Sequence, residues 1–489
     1  MDHPIRKLTQ STGIYGLGSM LQRFGGLFLL PLFTSYLTPA EYGVFALLTI
    51  LGALAKPIFD LGINAAMGPS YFKATQPDEK DQVIWSALTI SIISASCLLL
   101  VSWLNPHLLI RAVLIDEAYL RHTSLFLTGV AATIVLTPLV QKIQFAQRAK
   151  LFVLLQVAST IVFVVASILS VVIHRRGVLG MVEAQLASNL SALLLFAFFA
   201  LPRSNPLKIN RKVTLDILKT GLPLVPSFAL LFIMANAGRY VVQWHDGEAA
   251  VGVYSVGFQI GSAINLLIGA LATGWYPFFM AYLNRQAEAQ SLFGRITTFY
   301  LLGIGFLCLL IFSWATVVVR FLLDEAFHQA AEVVGLISLA YAFTGFFNLL
   351  LPPIYFAQKI PWVVPIQALA ALVSILLAIT LCPLFGNQGA ALSLLGGHCS
   401  MALGVLLLNQ HNSHLKFKIK YQLPVFFRFI PLFIAIVVIS QFLAHQSSLI
   451  NPLLLTAFSL LATTYALTPM QRSHLAAFLK NPIENLRRH

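Results

Sequence analysis

The stretch AEYGVFA at residues 40–46 decides the fold, because it returns as AAVGVYS at residues 249–255, 209 positions further along the chain. A second pair agrees with it: Thr12-Gly13-Ile14 matches Thr220-Gly221-Leu222 at an offset of 208. This offset spans six of the apolar segments described below, which is an even number, so both copies would enter a membrane from the same side. The matches therefore predict two parallel repeats related by an axis along the membrane normal.

The composition is that of a membrane protein. Of the 489 residues, 58% are hydrophobic and 10% are charged, whereas a soluble domain usually has about 25% charged residues. A bilayer core needs about 20 apolar helical residues per crossing, and its backbone groups must bond to one another within the segment. The sequence predicts an all-α polytopic membrane protein.

Fourteen apolar segments are candidate transmembrane helices. They cover about residues 11–37, 41–67, 83–104, 120–140, 151–173, 178–201, 215–236, 249–283, 296–319, 332–356, 361–381, 388–408, 425–444 and 449–467. With the repeat, they predict an N-terminal lobe at 1–205, a C-terminal lobe at 206–412, and two further helices with a tail at 413–489. The first segment is too long for a signal peptide, so we expect it to be retained.

The basic residues predict the orientation. Of the 31 Lys and Arg residues, 23 fall on one side of the predicted membrane and 6 on the other, while Arg23 and Lys56 lie within helices. The positive-inside rule then places both termini in the cytoplasm. This bias accounts for the net charge of +14 without a nucleic-acid partner. The four cysteines lie in apolar segments without metal-ligand spacing, so we expect no metal site.

Four short motifs carry a family resemblance: LTPAEYG at 37–43, DLGIN at 60–64, GLPLVPS at 221–227 and GVYS at 252–255. They resemble Wzx-like oligosaccharide flippases of the multidrug/oligosaccharidyl-lipid/polysaccharide exporter superfamily. The chain departs from that pattern at Gly238-Arg239, where the family often has Asp-Arg.

The resemblance implies a flippase rather than an enzyme. Its substrate would be oligosaccharide linked to undecaprenyl pyrophosphate or a similar polyprenyl pyrophosphate, the repeat unit of O-antigen (and so of lipopolysaccharide), capsule or exopolysaccharide. The unit would pass from the cytoplasmic to the outer leaflet of the bacterial inner membrane by alternating access through a cationic cavity. Expected partners are this lipid-linked oligosaccharide, membrane lipids, and a polysaccharide polymerase with its chain-length regulator. No cofactor is expected, but coupling to protons, sodium or the membrane potential stays open.

Two cations deep in the predicted membrane are the main candidate binding residues. Arg23 and Lys56 lie 12 and 11 residues from the inner ends of helices one and two, which is about 17 Å at 1.5 Å per residue. A charge at that depth normally faces the bundle interior or water. We expect both to bind pyrophosphate; the alternative is a structural ion pair within the bundle.

Asp60 follows Lys56 by one helical turn, and Asn64 continues the same face. Asp60 is either the partner of Lys56 in an intrahelical ion pair or a proton or sodium site that couples transport to a gradient. We expect Asn64 to contact substrate. Glu183 in helix six is a second, weaker candidate for ion coupling.

Arg239 lies near the outer end of helix seven, where it either guides phosphate at the outer mouth or anchors the helix. Asn265 in helix eight is a further candidate for substrate binding. His398 is expected to be a packing histidine. Arg175-Arg176 is expected to form a solvated outer turn, although contact with an anionic sugar stays open.

Several rival functions stay open. A cation-coupled multidrug exporter or a flippase of lipid-linked peptidoglycan precursors would share the superfamily. A polymerase or ligase should present catalytic groups on large outer loops, and the longest outer connection, 105–119, is short for that. A scaffold of a synthesis complex is disfavoured by the deep cations.

Overall fold

The computed structural model describes residues 29–107, 110, 116–202, 210–283, 285–412 and 450–466, together with 431, 434, 435 and 439. Across these ranges the regular structure is helical, without strands. This confirms the predicted all-α class.

The α-helices are numbered along the chain. They are α1 Leu30–Tyr36, α2 Pro39–Asp60, α3 Ile63–Lys73, α4 Pro77–Leu104, α5 Leu120–Phe145, α6 Ala149–Ser167, α7 Gly177–Ala200, α8 Arg211–Gly221, α9 Val225–Gly261, α10 Asn265–Met280, α11 Gln286–Leu322, α12 Ala331–Leu349, α13 Pro352–Phe356, α14 Val363–Asn412 and α15 Ile450–Ala466. A π-helical segment, Ile168–Ile173, extends α6.

In the described ranges, nine helical stretches are long and apolar enough to cross a membrane, so the chain is a multi-pass membrane protein. Some stretches cover two predicted crossings, because each contains two helices joined at one non-helical glycine. Gly247 (φ 81°) lies inside α9 and Gly386 (φ 51°) inside α14. Most of the first predicted segment and of segment 425–444 lies outside the described residues, and the total of fourteen stays a prediction.

Local sequence explains where the helices begin. Thr38 caps α2: its hydroxyl accepts the Glu41 N–H at 3.3 Å, and the Glu41 carboxylate accepts the Thr38 N–H at 2.9 Å. This reciprocal capping box satisfies two N–H groups that the helix itself cannot pair. Pro39 at the first helical position has no N–H to satisfy. The start of α2, which carries the repeated AEYGVFA stretch, is thereby fixed.

Large apolar side chains remain uncovered on the membrane-length helices. On α7, Phe198 is 83% exposed and Leu194 is 70% exposed; on α4, Ile93 is 66% exposed. A soluble protein rarely exposes extended apolar patches of this kind. These faces fit a surface solvated by lipid.

The chain forms two compact units. The first contains Met1–Val256, Leu322–Phe327 and Ile375–Ala390, and the second contains Gly257–Phe321, His328–Ser374 and Ala391–His489. These units follow spatial contacts and do not test the predicted repeat boundaries, so the lobes at 1–205 and 206–412 stay a prediction.

The core of the first unit joins α3, α4, α7 and α8. Its fully buried members include Ile63, Met67, Ile84, Phe196 and Ile217. Helix α8 is thus a separate short helix, which packs against this core through Ile217. The sequence had predicted instead that residues 215–221 of α8 belong to a crossing at 215–236. The core holds the end of α2 and the start of α3 in place.

In the second unit, the end of α9 packs closely against α12. A Cβ atom added at Gly257 would lie 2.6 Å from the Ala330 carbonyl oxygen, and one at Gly261 would lie 2.6 Å from that of Val334. The Ser338 hydroxyl donates to the Gly261 carbonyl at 2.9 Å. Glycines spaced by four residues let two membrane helices approach in this way.

Candidate functional site

The second predicted crossing is broken near one end. Helix α2 ends at Asp60, and Leu61 (φ 52°) and Gly62 (φ 72°) adopt the left-handed conformation before α3 begins at Ile63. The sequence predicted one continuous helix over 41–67. Two consecutive left-handed residues cannot continue a right-handed helix, so the prediction was wrong at this point.

A close backbone contact requires the glycine at the break. A Cβ atom added at Gly62 would lie 2.3 Å from the Gly221 carbonyl oxygen, and one at Gly221 would lie 2.4 Å from that of Leu61. Each glycine therefore lets the α2–α3 break approach the end of α8. The break is an element of tertiary packing that local sequence alone does not specify.

Asp60 and Asn64 meet across the break. Asp60 is buried, with 5% of its surface exposed, and its Oδ2 accepts the Asn64 N–H at 3.2 Å. The buried Gln141 of α5 donates its side-chain amide to both the backbone and the side-chain oxygen of Asn64. Asn64 itself stays exposed. The structure thus joins two of the predicted candidates, Asp60 and Asn64, and adds Gln141, which lies 77 residues from Asn64 and gave no signal in the sequence.

Lys56 lies on α2 one turn before Asp60. Its side chain is exposed, and the described residues provide no carboxylate within ion-pair distance of it. Lys56 and Asp60 therefore do not form the predicted intrahelical ion pair and interact only at longer range. Lys56 is thus an exposed cation within a membrane-length helix. Arg23 lies outside the described residues.

The two copies of the repeated stretch touch each other. A Cβ atom added at Gly43 would lie 1.9 Å from the Glu248 carbonyl oxygen, and one at Gly252 would lie 1.9 Å from the Pro39 carbonyl oxygen. Each oxygen belongs to the residue four positions before the opposite glycine. Such a reciprocal contact is what a two-fold relation between repeats produces. We call it the paired-glycine contact.

Arg239 lies on α9 and is buried, with 8% of its surface exposed. Its guanidinium lies 5.6 Å from the centre of the Tyr254 ring, and it donates to Asn236 Oδ1 at 3.3 Å. Tyr42, next to Gly43, is also close enough to Arg239 for an electrostatic interaction. Stacking of this kind is typical of arginine, and it ties Arg239 to the repeated stretches at 40–46 and 249–255.

A close steric contact explains why the residue before Arg239 is a glycine. A Cβ atom added at Gly238 would lie 2.8 Å from the Cβ and 2.9 Å from the Cα of Ala390. The close approach of residues 238 and 390 leaves no room for the aspartate that the resembled family often has there.

The other predicted residues lie elsewhere. Glu183 accepts two hydrogen bonds from the Arg176 guanidinium at 2.7 and 2.8 Å, so the turn at Arg175-Arg176 is tied to α7. Asn265 is half-buried at the start of α10. His398 is 4% exposed and its Nδ1 lies 2.9 Å from the Leu394 carbonyl oxygen, as a packing histidine would.

The described part of the chain contains no group of three or more His, Cys, Asp or Glu side chains that could hold a metal ion. The chemistry available near Asp60 is instead that of neutral oxygens, one carboxylate and one ammonium. Such groups bind and release ions or polar headgroups.

Similar solved structures share this fold. The lipid II flippase MurJ, in an inward closed conformation, is 15% identical with a TM-score of 0.68, over 94% of this chain and 99% of that chain. An inward-facing multidrug resistance MATE family transporter of the MOP superfamily is 15% identical with a TM-score of 0.64, over 82% and 94%. A MOP superfamily transporter from Pyrococcus furiosus, whose binding pocket has reverse polarity, is 16% identical with a TM-score of 0.53, over 83% and 95%.

The chain therefore has the fold of these membrane transporters. At the sequence level, the family described as "Polysaccharide biosynthesis protein" matches residues 8–283. No curated protein sequence matches the chain. The chain belongs to this polysaccharide biosynthesis family, and the suggested resemblance to Wzx-like flippases of the superfamily is confirmed.

Proposed function

We propose that the chain flips polyprenyl-pyrophosphate-linked oligosaccharide units from the cytoplasmic to the outer leaflet of the bacterial inner membrane. The observation that carries the proposal is the match of residues 8–283 to the polysaccharide biosynthesis family in a chain with a MOP transporter fold. In the cell, the flipped units would pass to a polymerase and its chain-length regulator.

A flippase makes and breaks no covalent bond; it offers a polar headgroup a path through hydrocarbon. Lys56 suits that task, because its side chain is exposed on a membrane-length helix and no carboxylate of the described residues neutralises it within ion-pair distance. We assign pyrophosphate binding to Lys56 and Arg23. Charge-assisted hydrogen bonds contribute about 1.5–3 kcal/mol each, and arginine can donate two in parallel.

We assign gating to the paired-glycine contact, with Arg239 packed beside it. In the predicted orientation this contact lies toward the outer face, so its opening would release the substrate in the outer leaflet. The repeats at 1–205 and 206–412 would move against each other around the cavity. Asn64 and Asn265 would offer amide groups to the sugar along this path.

The test is restoration of surface polysaccharide in a flippase-deleted strain, with the protein level checked in the membrane. Lys56→Ala should lower export about tenfold or more, because one charge-assisted bond is lost, and Lys56→Arg should keep most of it. Lys73→Ala is the matched control, since Lys73 is exposed at the end of α3. Wild-type export by Lys56→Ala would remove Lys56 from the proposed site.

Two rivals are separated in the same way. Rescue of a strain depleted of its lipid II flippase, without restored polysaccharide, would assign the chain to peptidoglycan precursors instead. Increased resistance of a drug-sensitive host, again without polysaccharide, would indicate multidrug export. Either result would overturn the proposal.

A further inference from the structure

Helix α8 is anchored to the first unit along one side only. Ile217 and Gly221 are buried, and Val213 and Leu218 pack against the same core of α3 and α4. Helix α3 ends and α4 begins on either side of residues 74–76, and both belong to membrane-length stretches. This packing therefore holds α8 beside the ends of membrane-length helices and leaves its opposite side exposed.

The exposed side of α8 is ordered by side-chain type. Leu215 and Leu222 are 44% and 47% exposed, and their spacing of about two helical turns puts them in one row along the helix. Lys212 and Lys219 are exposed at the same spacing and form a second row, turned from the first by about 60°. Asp216 lies about 50° further round, on the side away from the leucines.

This order is typical of a helix that lies in the plane of a membrane interface. There the apolar row enters the boundary of the acyl chains, the lysines lie at the level of the headgroups, and acidic residues face water. Lysine suits that level, because its apolar stem covers hydrocarbon while its ammonium reaches the polar layer. Among the described residues, no carboxylate lies within ion-pair distance of Lys212 or Lys219, so their charge is available to an external anion.

The position of α8 in the chain indicates which anion this is. In the predicted orientation, α8 lies on the cytoplasmic side, and the cytoplasmic leaflet carries anionic lipids whose surface potential attracts basic segments. The helix also ends at Gly221, whose backbone packs closely against Leu61 and Gly62 of the α2–α3 break. A ligand held on α8 would thus act next to that break.

We propose that the exposed face of α8 binds the headgroups of anionic phospholipids in the cytoplasmic leaflet. Lys212 and Lys219 contact the lipid phosphates, and Leu215 and Leu222 enter the boundary of the acyl chains beside them. This lipid surface does not depend on the identity of the transported substrate.

The experiment measures lipid binding by the purified full-length protein in dodecyl maltoside micelles. Thermal melting is recorded while dioleoylphosphatidylglycerol, which is anionic, or dioleoylphosphatidylcholine, which is zwitterionic, is added, because a ligand that binds the folded state raises Tm with its concentration. Phosphatidylglycerol should raise the wild-type Tm in a saturable way, and high salt should weaken the effect. Lys212→Gln combined with Lys219→Gln should weaken the binding about 30-fold, at about fivefold for each cation near the membrane surface.

The matched control combines Arg148→Gln with Lys150→Gln. Both residues are exposed at the start of α6, on the same predicted side of the membrane, so the control removes the same charge and should keep the wild-type response. Lys212→Arg combined with Lys219→Arg retains the charge and should also keep it. If the double glutamine variant does not fold, Lys219→Gln alone should weaken the binding about fivefold.

Four results would overturn the proposal. Equal Tm rises with the two lipids would show that the headgroup charge is not recognised, and an equal rise with inorganic phosphate would indicate a site for free anions instead. An undiminished response in the glutamine variant of α8 would remove its lysines from the surface. An equal loss in the control would assign the effect to general positive charge. Because no substrate is present, these results are independent of the polysaccharide assay.

Discussion

Replacement of Gly43 by alanine tests whether the paired-glycine contact opens during transport. The added Cβ atom would lie 1.9 Å from the Glu248 carbonyl oxygen, while real Cβ atoms essentially never come within 3.0 Å of such a neighbour. The start of α2 and the segment around Glu248 must therefore separate by at least about 1.1 Å. Both partners are backbone, so no side-chain rotation can relieve the clash.

Overpacking of this kind typically costs about 1–3 kcal/mol. If the contact is closed in one transport state and open in another, Gly43→Ala shifts their ratio about 5- to 150-fold toward the open state. The reporter is a cysteine at Val44, which is fully buried beside the contact, in a chain whose native cysteines are replaced by alanine. Its reaction with a membrane-impermeant thiol reagent measures the open fraction.

The control is Gly303→Ala on α11, where an added Cβ atom meets no atom within 4 Å. It should leave the labelling rate at Val44→Cys unchanged, whereas Gly43→Ala and, by the repeat relation, Gly252→Ala should raise it. If Gly43→Ala labels no faster than the control while the protein level is normal, the contact is a fixed structural joint and the gating argument fails.

Three further predictions follow from the described contacts and from the cation assignment. Gly238→Asp should destabilise the protein by about 1–3 kcal/mol in thermal melting, because its Cβ would lie 2.8 Å from that of Ala390. Glu183→Gln should change stability by less than about 1 kcal/mol in the same assay, since its ion pair with Arg176 is partly exposed. Arg23→Lys should keep part of the surface polysaccharide that Arg23→Ala loses, because lysine retains the charge without the parallel donors.

Each of these has a contrary outcome. A wild-type melting temperature for Gly238→Asp would mean that residues 238 and 390 separate at little cost. A large loss of stability in Glu183→Gln would make its ion pair a structural requirement. Equal export by Arg23→Ala and the wild type would remove Arg23 from the proposed pyrophosphate site.

The sequence predicted those features that depend on composition and repetition. Apolar length predicted membrane helices, and the match between residues 40–46 and 249–255 singled out the stretches that form the paired-glycine contact. The contact itself was not predicted, because a repeat says that two segments are alike and not that they touch.

The features that the sequence missed depend on distant partners. Leu61-Gly62 interrupts the second crossing where Gly221, about 160 residues away, packs against it. Gln141 reaches Asn64 from another helix. Periodicity reports which residues share a helical face, but not which remote backbone or amide that face will meet.

The paired-glycine contact also orders events during synthesis. Ribosomes add about 5–20 residues per second, so Gly252 follows Gly43 out of the ribosome after about 10–40 s. During that interval the glycine face of α2 has no partner helix, and lipid or the insertion machinery must cover it. The paired-glycine contact can therefore form only after residues 248–252 have been synthesised. A nascent chain stalled before residue 248 would contain Pro39 and Gly43 but not the residues that they contact.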